Sequence, residues 1–60
     1  MMRLHTKTIR KAIEKRLEVY SIEEVLIDCK IVLRDLRKYP TDNVNQIRYY
    51  ERYWSLLNEY

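Results

Sequence analysis

The chain contains no glycine, and its single proline is Pro40. Glycine supplies the positive backbone angles of two-residue hairpin turns and the close backbone approach of phosphate-binding loops and nucleophile elbows. Tight β-hairpins and those glycine-dependent sites are therefore not expected. The apolar fraction of 47% and the charged fraction of 35% are typical of a folding chain rather than a disordered one. We expect an all-α fold.

Sixty residues allow one domain at most. A domain of this size buries only about 60% of the surface that its unfolded chain exposes. Disulfides, a metal or association usually reinforce such small domains. Cys29 is the only cysteine and His5 the only histidine, so we expect neither an internal disulfide nor a metal site. Association is the remaining form of reinforcement.

Helix boundaries are marked by capping and breaking residues. Ser21 and Glu24 have the spacing of a capping box, which predicts that a helix begins at Ile22. The residue before a proline avoids helical geometry, so Pro40 ends that helix, and Thr41, Asp42 or Asn43 can cap the next one. Together with the apolar periodicity, these signals predict three helices, over residues 7–19, 22–38 and 42–59.

The second and third helices each carry an apolar seam that predicts core and dimer contacts. Two long helices joined by a short turn should form an antiparallel hairpin, with the first helix folded across it or projecting as an arm. Ile27 and Ile31 lie on another face of the second helix, and one hairpin cannot cover them. We therefore predict a dimeric helical bundle; the alternative is a monomeric three-helix bundle covered by the first helix. The seam residues are Ile22, Leu26, Cys29, Leu33, Leu36, Ile47, Tyr50, Trp54 and Leu57.

The third helix also carries a second apolar stripe, rich in tyrosine. The chain has six tyrosines and no phenylalanine. Tyrosine combines apolar area with a polar group, so it suits surfaces that are wet when free and buried when bound. This stripe is predicted either to bind a protein partner or to serve the homodimer. Its residues are Tyr49, Tyr53, Leu56 and Tyr60.

Basic charge is concentrated near the N-terminus. Residues 1–16 contain six basic side chains and one acidic one, a net +5, whereas the whole chain carries +3. Such a face can bind phosphates weakly, with strong salt dependence and no sequence choice. It can equally be a solvated helix surface or suit an acidic protein. The residues of the predicted phosphate-binding face are Arg3, Lys7, Arg10, Lys11 and Lys15.

The stretch 47–52, Ile-Arg-Tyr-Tyr-Glu-Arg, resembles part of the recognition helix of MerR-type winged-helix regulators. The resemblance implies that Arg48, Tyr49 and Arg52 approach DNA phosphates. It covers about a tenth of the chain. Tyr53-Trp54-Ser55 stands where the family has a glycine turn, the upstream turn glycine is missing, and no sequence remains for a wing. DNA binding is therefore the alternative interpretation rather than the first.

No catalytic site is expected, because the chain lacks a nucleophile beside a base. Ser21 is explained as a cap, Cys29 lies on a core seam, and Glu24 and Asp28 resemble a solvated helix face. No segment is long and apolar enough to span a membrane or to act as a secretory leader, so a cytoplasmic location is expected. We predict a small non-enzymatic regulator or adaptor without cofactors, of the phage or plasmid accessory type, that binds another protein. The alternatives are a DNA-binding regulator and a structural oligomerisation module.

Overall fold

A computed structural model describes residues 6–60. Three α-helices account for most of this range, and it contains no β-strand. The predicted all-α class with three helices is therefore confirmed for the described residues. The second and third helices contact each other more extensively than either contacts the first. The helices are α1 (Thr6–Leu17), α2 (Ile22–Leu36) and α3 (Val44–Leu57).

The start of α2 is the capping box that the sequence predicts. The Glu24 backbone N–H donates to Ser21 Oγ over 3.3 Å, and the Ser21 backbone N–H donates to Glu24 Oε1 over 3.4 Å. Each side chain thus satisfies a backbone donor that the first helical turn leaves free. The carboxylates of Glu23 and Glu24 also lie at the positive end of the helix dipole.

The junction between α2 and α3 is longer than predicted, because α2 ends at Leu36 and α3 begins at Val44. Short turn bonds close α2 before Pro40, with the Tyr39 N–H donating to the Leu36 carbonyl over 3.2 Å. Asn43 occupies the cap position of α3 but makes no capping bond to it. Its side-chain amide instead donates to the carbonyls of Leu36 and Tyr39, over 3.3 and 3.1 Å. Asn43 therefore occupies the predicted cap position of α3, but its side chain closes the preceding helix and does not cap α3.

All three helices contribute to one apolar core. Cys29, Leu33 and Leu57, from the predicted seams, are buried in it. The other seam residues, Ile22, Leu26, Leu36, Ile47, Tyr50 and Trp54, are only half-buried. The core consists of Ile9, Ile13, Val25, Cys29, Leu33, Tyr53, Leu56 and Leu57.

For the seam residues of α3, half-burial has a simple cause: α1 covers the second stripe of that helix. Ile9 and Ile13 of α1 are buried in the same cluster as Tyr53 and Leu56. Because α1 packs against this side of α3, residues 53, 56 and 57 are buried, whereas residues 47, 50 and 54 are only half-buried. Within the described chain, α1 is thus part of the core and does not project as an arm. The three-helix alternative also places the first helix over the other two.

Candidate protein-contact surface

The side of α2 opposite the core exposes two isoleucines. Ile27 is 61% exposed and Ile31 is 44% exposed, although Val25, Cys29 and Leu33 of the same helix are buried. Side chains four residues apart are neighbours on a helix, so Ile27 and Ile31 form one continuous apolar strip. We define the α2 outer face by Glu23, Ile27, Lys30, Ile31 and Arg34.

Shallow hollows border this strip toward α3. One, of about 390 Å³, is lined by Lys30, Leu33, Arg37, Glu51 and Trp54. Its neighbour, of about 400 Å³, is lined by Lys30, Ile31, Arg34 and Arg37. The two hollows share Lys30 and Arg37, so together they form one apolar groove with a basic rim. Arg37 Nη2 is bonded to Glu51 Oε2 over 3.1 Å, which fixes that rim to α3.

Charge changes sign along the α2 outer face. Glu23 and Glu24 lie in the first turn and Arg34 lies in the last. Asp28, near the middle, is paired with Arg16 of α1 over 3.7 Å. The face therefore presents apolar residues between an acidic end and a basic end.

Two further apolar side chains are exposed at the acidic end. Val19 and Tyr20 lie in the turn between α1 and α2 and are largely uncovered. They stand in the sequence between the acids Glu18 and Glu23. The Arg16 guanidinium lies 5.8 Å from the centroid of the Tyr20 ring, within the range of a cation–π contact. We call residues 18–20, with Glu23, the acidic corner.

The predicted partner-binding stripe of α3 is divided between core and surface. Tyr53 and Leu56 are buried, Tyr49 is half-buried, and Tyr60 is exposed. Tyr49 packs edge-on against Tyr50, with ring centroids 5.1 Å apart. Burial raises the pKa of the Tyr49 and Tyr53 hydroxyls. The four residues therefore do not form one exposed strip, and their role in binding a partner stays a prediction.

The residues predicted to bind phosphate are in different surroundings. Arg3 lies outside the described residues. Arg10 donates to Glu59 Oε1 over 3.1 Å, and hydrogen bonds to Glu59 and Tyr60 raise its pKa. Arg52 donates to Thr6 Oγ1 over 3.0 Å. These two arginines therefore link α3 and the segment after it to α1.

The remaining predicted cations are exposed. They are Lys7, Lys11, Lys15 and Arg48. The three lysines lie at successive turns of α1, and none has an ion-pair partner within residues 6–60. Glu14 and Glu18 lie beside Lys11 and Lys15 around a shallow depression. The lysine row is thus available to an anionic partner, but carboxylates dilute its charge toward the end of α1.

Cys29 is the one nucleophilic side chain in the core. Its thiol donates to the Tyr50 carbonyl over 3.6 Å. Burial raises the pKa of this thiol, and the nearby Asp28 carboxylate acts in the same direction. Since the thiolate is the reactive form, both effects suppress its reactivity. Residues 6–60 contain no cluster of three or more histidine, cysteine or carboxylate side chains that could hold a metal.

None of the described helices has the length and apolar character needed to cross a bilayer.

Searches against protein-family models, curated proteins and solved structures find no match to this chain. The sequence pattern places Ile27 and Ile31 outside the core, and the structure adds Lys30, Arg34 and Trp54 beside them. The signal was present in the helical spacing, because Lys30 and Arg34 lie three residues after Ile27 and Ile31 respectively.

Proposed function

We propose that this protein is a non-enzymatic regulatory or adaptor module that binds another polypeptide through the α2 outer face. The observation that carries the proposal is the exposure of Ile27 and Ile31, one turn apart, on a helix whose opposite side is buried. Fully burying one such side chain is worth about 1.5–3 kcal/mol. An apolar strip with charged flanks is the usual composition of a protein interface with an apolar centre and a polar rim.

The proposal names a polypeptide rather than a small molecule or a nucleic acid. The hollows beside Ile31 are shallow and open, whereas small-molecule sites enclose most of their ligand. Phosphate binding favours a surface of one charge sign, but the α2 outer face carries Glu23 at one end and Arg34 at the other. A helix or strand of another chain can match both signs.

We propose further that α2 and α3 form an antiparallel hairpin. Two contacts support this arrangement. Near the junction, Asn43 bonds to the Leu36 carbonyl. Cys29, which is farther from the junction along α2, bonds to the carbonyl of Tyr50, which is farther from the junction along α3. In antiparallel neighbours, earlier residues of one helix contact later residues of the other, as these two contacts do.

A photo-crosslinking amino acid at position 31 tests the proposed function in cells that express the full chain. Val44 provides the matched control position, because it is 45% exposed and lies on α3 rather than α2. We expect crosslinked protein adducts from position 31, and their loss when Ile27→Asp is added. Equal adduct yields from positions 31 and 44, or yields unchanged by Ile27→Asp, would contradict the proposal.

Nucleic-acid binding is the second candidate, and the exposed row of Lys7, Lys11 and Lys15 favours it. Phosphate contacts by three lysines give weak binding that falls steeply with salt. Fluorescence anisotropy with a labelled duplex at low salt tests this candidate against a Lys7→Glu/Lys11→Glu variant. No anisotropy change at tens of micromolar protein, or the same change with the variant, would rule out this face.

A further inference from the structure

We infer that the occupant of the α2 outer face is a second copy of this chain, packed antiparallel about a two-fold axis that passes between Ile27 and Ile31. The inference rests on the proposed function, because it names the partner of the same surface. Under this symmetry, Ile27 of each copy contacts Ile31 of the other. A two-fold contact closes on itself, so it produces a dimer and not a filament.

The positions of Glu23 and Arg34 supply the first argument. They are eleven residues apart, about three turns, and therefore lie on the same edge of the helix. The axis passes at the level of residue 29, so Glu23 lies about 9 Å on one side of it and Arg34 about 7.5 Å on the other. Antiparallel packing places each Glu23 beside the second copy's Arg34. The symmetry forms this ion pair twice.

A partner of uniform charge fits the face less well. An acidic helix would match Lys30 and Arg34 but would be repelled by Glu23 and Glu24 at the other end. A basic helix would meet the opposite conflict. Like-charge contacts reduce affinity and select against wrong partners, so the bipolar face favours a bipolar helix that runs in the opposite direction. The second copy's α2 is such a helix.

The arrangement also contains like-charge contacts, because Lys30 lies one residue from the level of the axis and therefore stands near the second copy's Lys30. Glu24 and Asp35 are also eleven residues apart, on the other edge of the helix. The two-fold axis therefore places each Glu24 near the second copy's Asp35. These like-charge contacts, together with an interface limited to one helix face, below about 1,200 Å² in total, predict a weak dimer with a dissociation constant on the order of 10–100 µM.

Charge exchange between two variants tests the inference on the purified full chain by sedimentation velocity. Glu23→Lys alone and Arg34→Glu alone each place like charges together at both symmetric contacts. We expect each variant to weaken self-association by about tenfold. An equimolar mixture of the two variants restores both ion pairs, so it should associate as tightly as the wild-type chain. Glu14→Lys, an exposed reversal on α1, should leave self-association unchanged, and circular dichroism checks that every variant remains helical.

Asp35→Asn provides an independent check with the opposite sign. It removes the Glu24 conflict, so it should tighten the dimer severalfold. A wild-type chain that stays monomeric at several hundred micromolar, or a mixture that associates no better than the single variants, would overturn the inference. If crosslinks at position 31 then lead to a different polypeptide, the proposed function stands and only the second copy is rejected. If no adducts form either, both proposals fail.

Discussion

Replacing Ile13 by alanine tests whether α1 is an integral part of the core. The Ile13 side chain is 0% exposed and lies in the cluster that also contains Tyr53 and Leu56. Truncating a buried isoleucine to alanine costs about 2–5 kcal/mol, because apolar contacts are lost and a cavity remains. Small domains have a free energy of unfolding of roughly 0.05–0.15 kcal/mol per residue, which gives about 3–9 kcal/mol for 60 residues. One substitution should therefore remove about a fifth or more of the free energy of unfolding.

Urea denaturation followed by circular dichroism measures this loss. For a domain of this size the dependence of unfolding free energy on urea is about 1 kcal/mol per molar, so the midpoint should fall by about 2 M or more. Ile27→Ala is the matched control, because Ile27 is exposed and alanine favours helix. At protein concentrations well below the expected dimer dissociation constant, that control should shift the midpoint by less than about 0.5 M. Equal small shifts for both variants would mean that α1 does not cover α3.

Three further predictions follow from the caps, the core thiol and the lysine row. Ser21→Ala should lower the free energy of unfolding by about 1 kcal/mol, through loss of the capping box, whereas the exposed Ser55→Ala should change it little; a similar effect of both on the urea midpoint would contradict the capping role. Burial raises the Cys29 pKa, so the unfolded chain loses its thiol proton near pH 8.5 while the folded chain retains it. The contribution of the protonated Cys29 thiol to the free energy of unfolding should be fully present below about pH 8 and be lost as pH rises toward the folded-state pKa. Urea midpoints at pH 7.5 and 9.5 measure this loss, which should be smaller in Cys29→Ala. Equal losses in the two proteins would refute the prediction. Raising salt from 50 to 200 mM should abolish any duplex binding through Lys7 and Lys11, and anisotropy that is insensitive to salt would exclude phosphate contacts by these residues.

Helix number and the start of α2 were predictable because local chemistry decides them. Ser21 and Glu24 need only each other and the backbone between them, so their sequence spacing was sufficient. The proline at position 40 likewise placed a break that the structure confirms. The predicted ends of α2 and α3 differ from the observed ones by about two residues. Terminal turns tighten according to which side chain reaches their carbonyls, and the sequence alone does not show which one does. Asn43 could serve either adjacent helix, and only the tertiary structure selects the Leu36 carbonyl.

The division of the core was not predictable from the pattern of α3 alone. Two adjacent apolar stripes on one helix leave open which stripe another element covers. In the described chain, Ile9 and Ile13 pack against Tyr53 and Leu56, so the second stripe is the covered one. Trp54 is left half-buried in the lining of the apolar groove with the basic rim. The candidate surface on α2 could be anticipated as an uncovered apolar face. The groove beside it also depends on Glu51 and Trp54 of α3, which only tertiary contact brings next to Arg37.

A nuclear Overhauser measurement between copies tests the central claim about α2 most directly. In a mixture of ¹³C-labelled and unlabelled full chain near millimolar concentration, an isotope-filtered spectrum detects only contacts between molecules. We predict cross-peaks between the methyl groups of Ile27 and those of the second copy's Ile31, and none from the buried methyls of Ile13. A filtered spectrum in which the Ile27 and Ile31 methyls give no intermolecular signal, while other surface methyls do, would contradict the two-fold α2 contact.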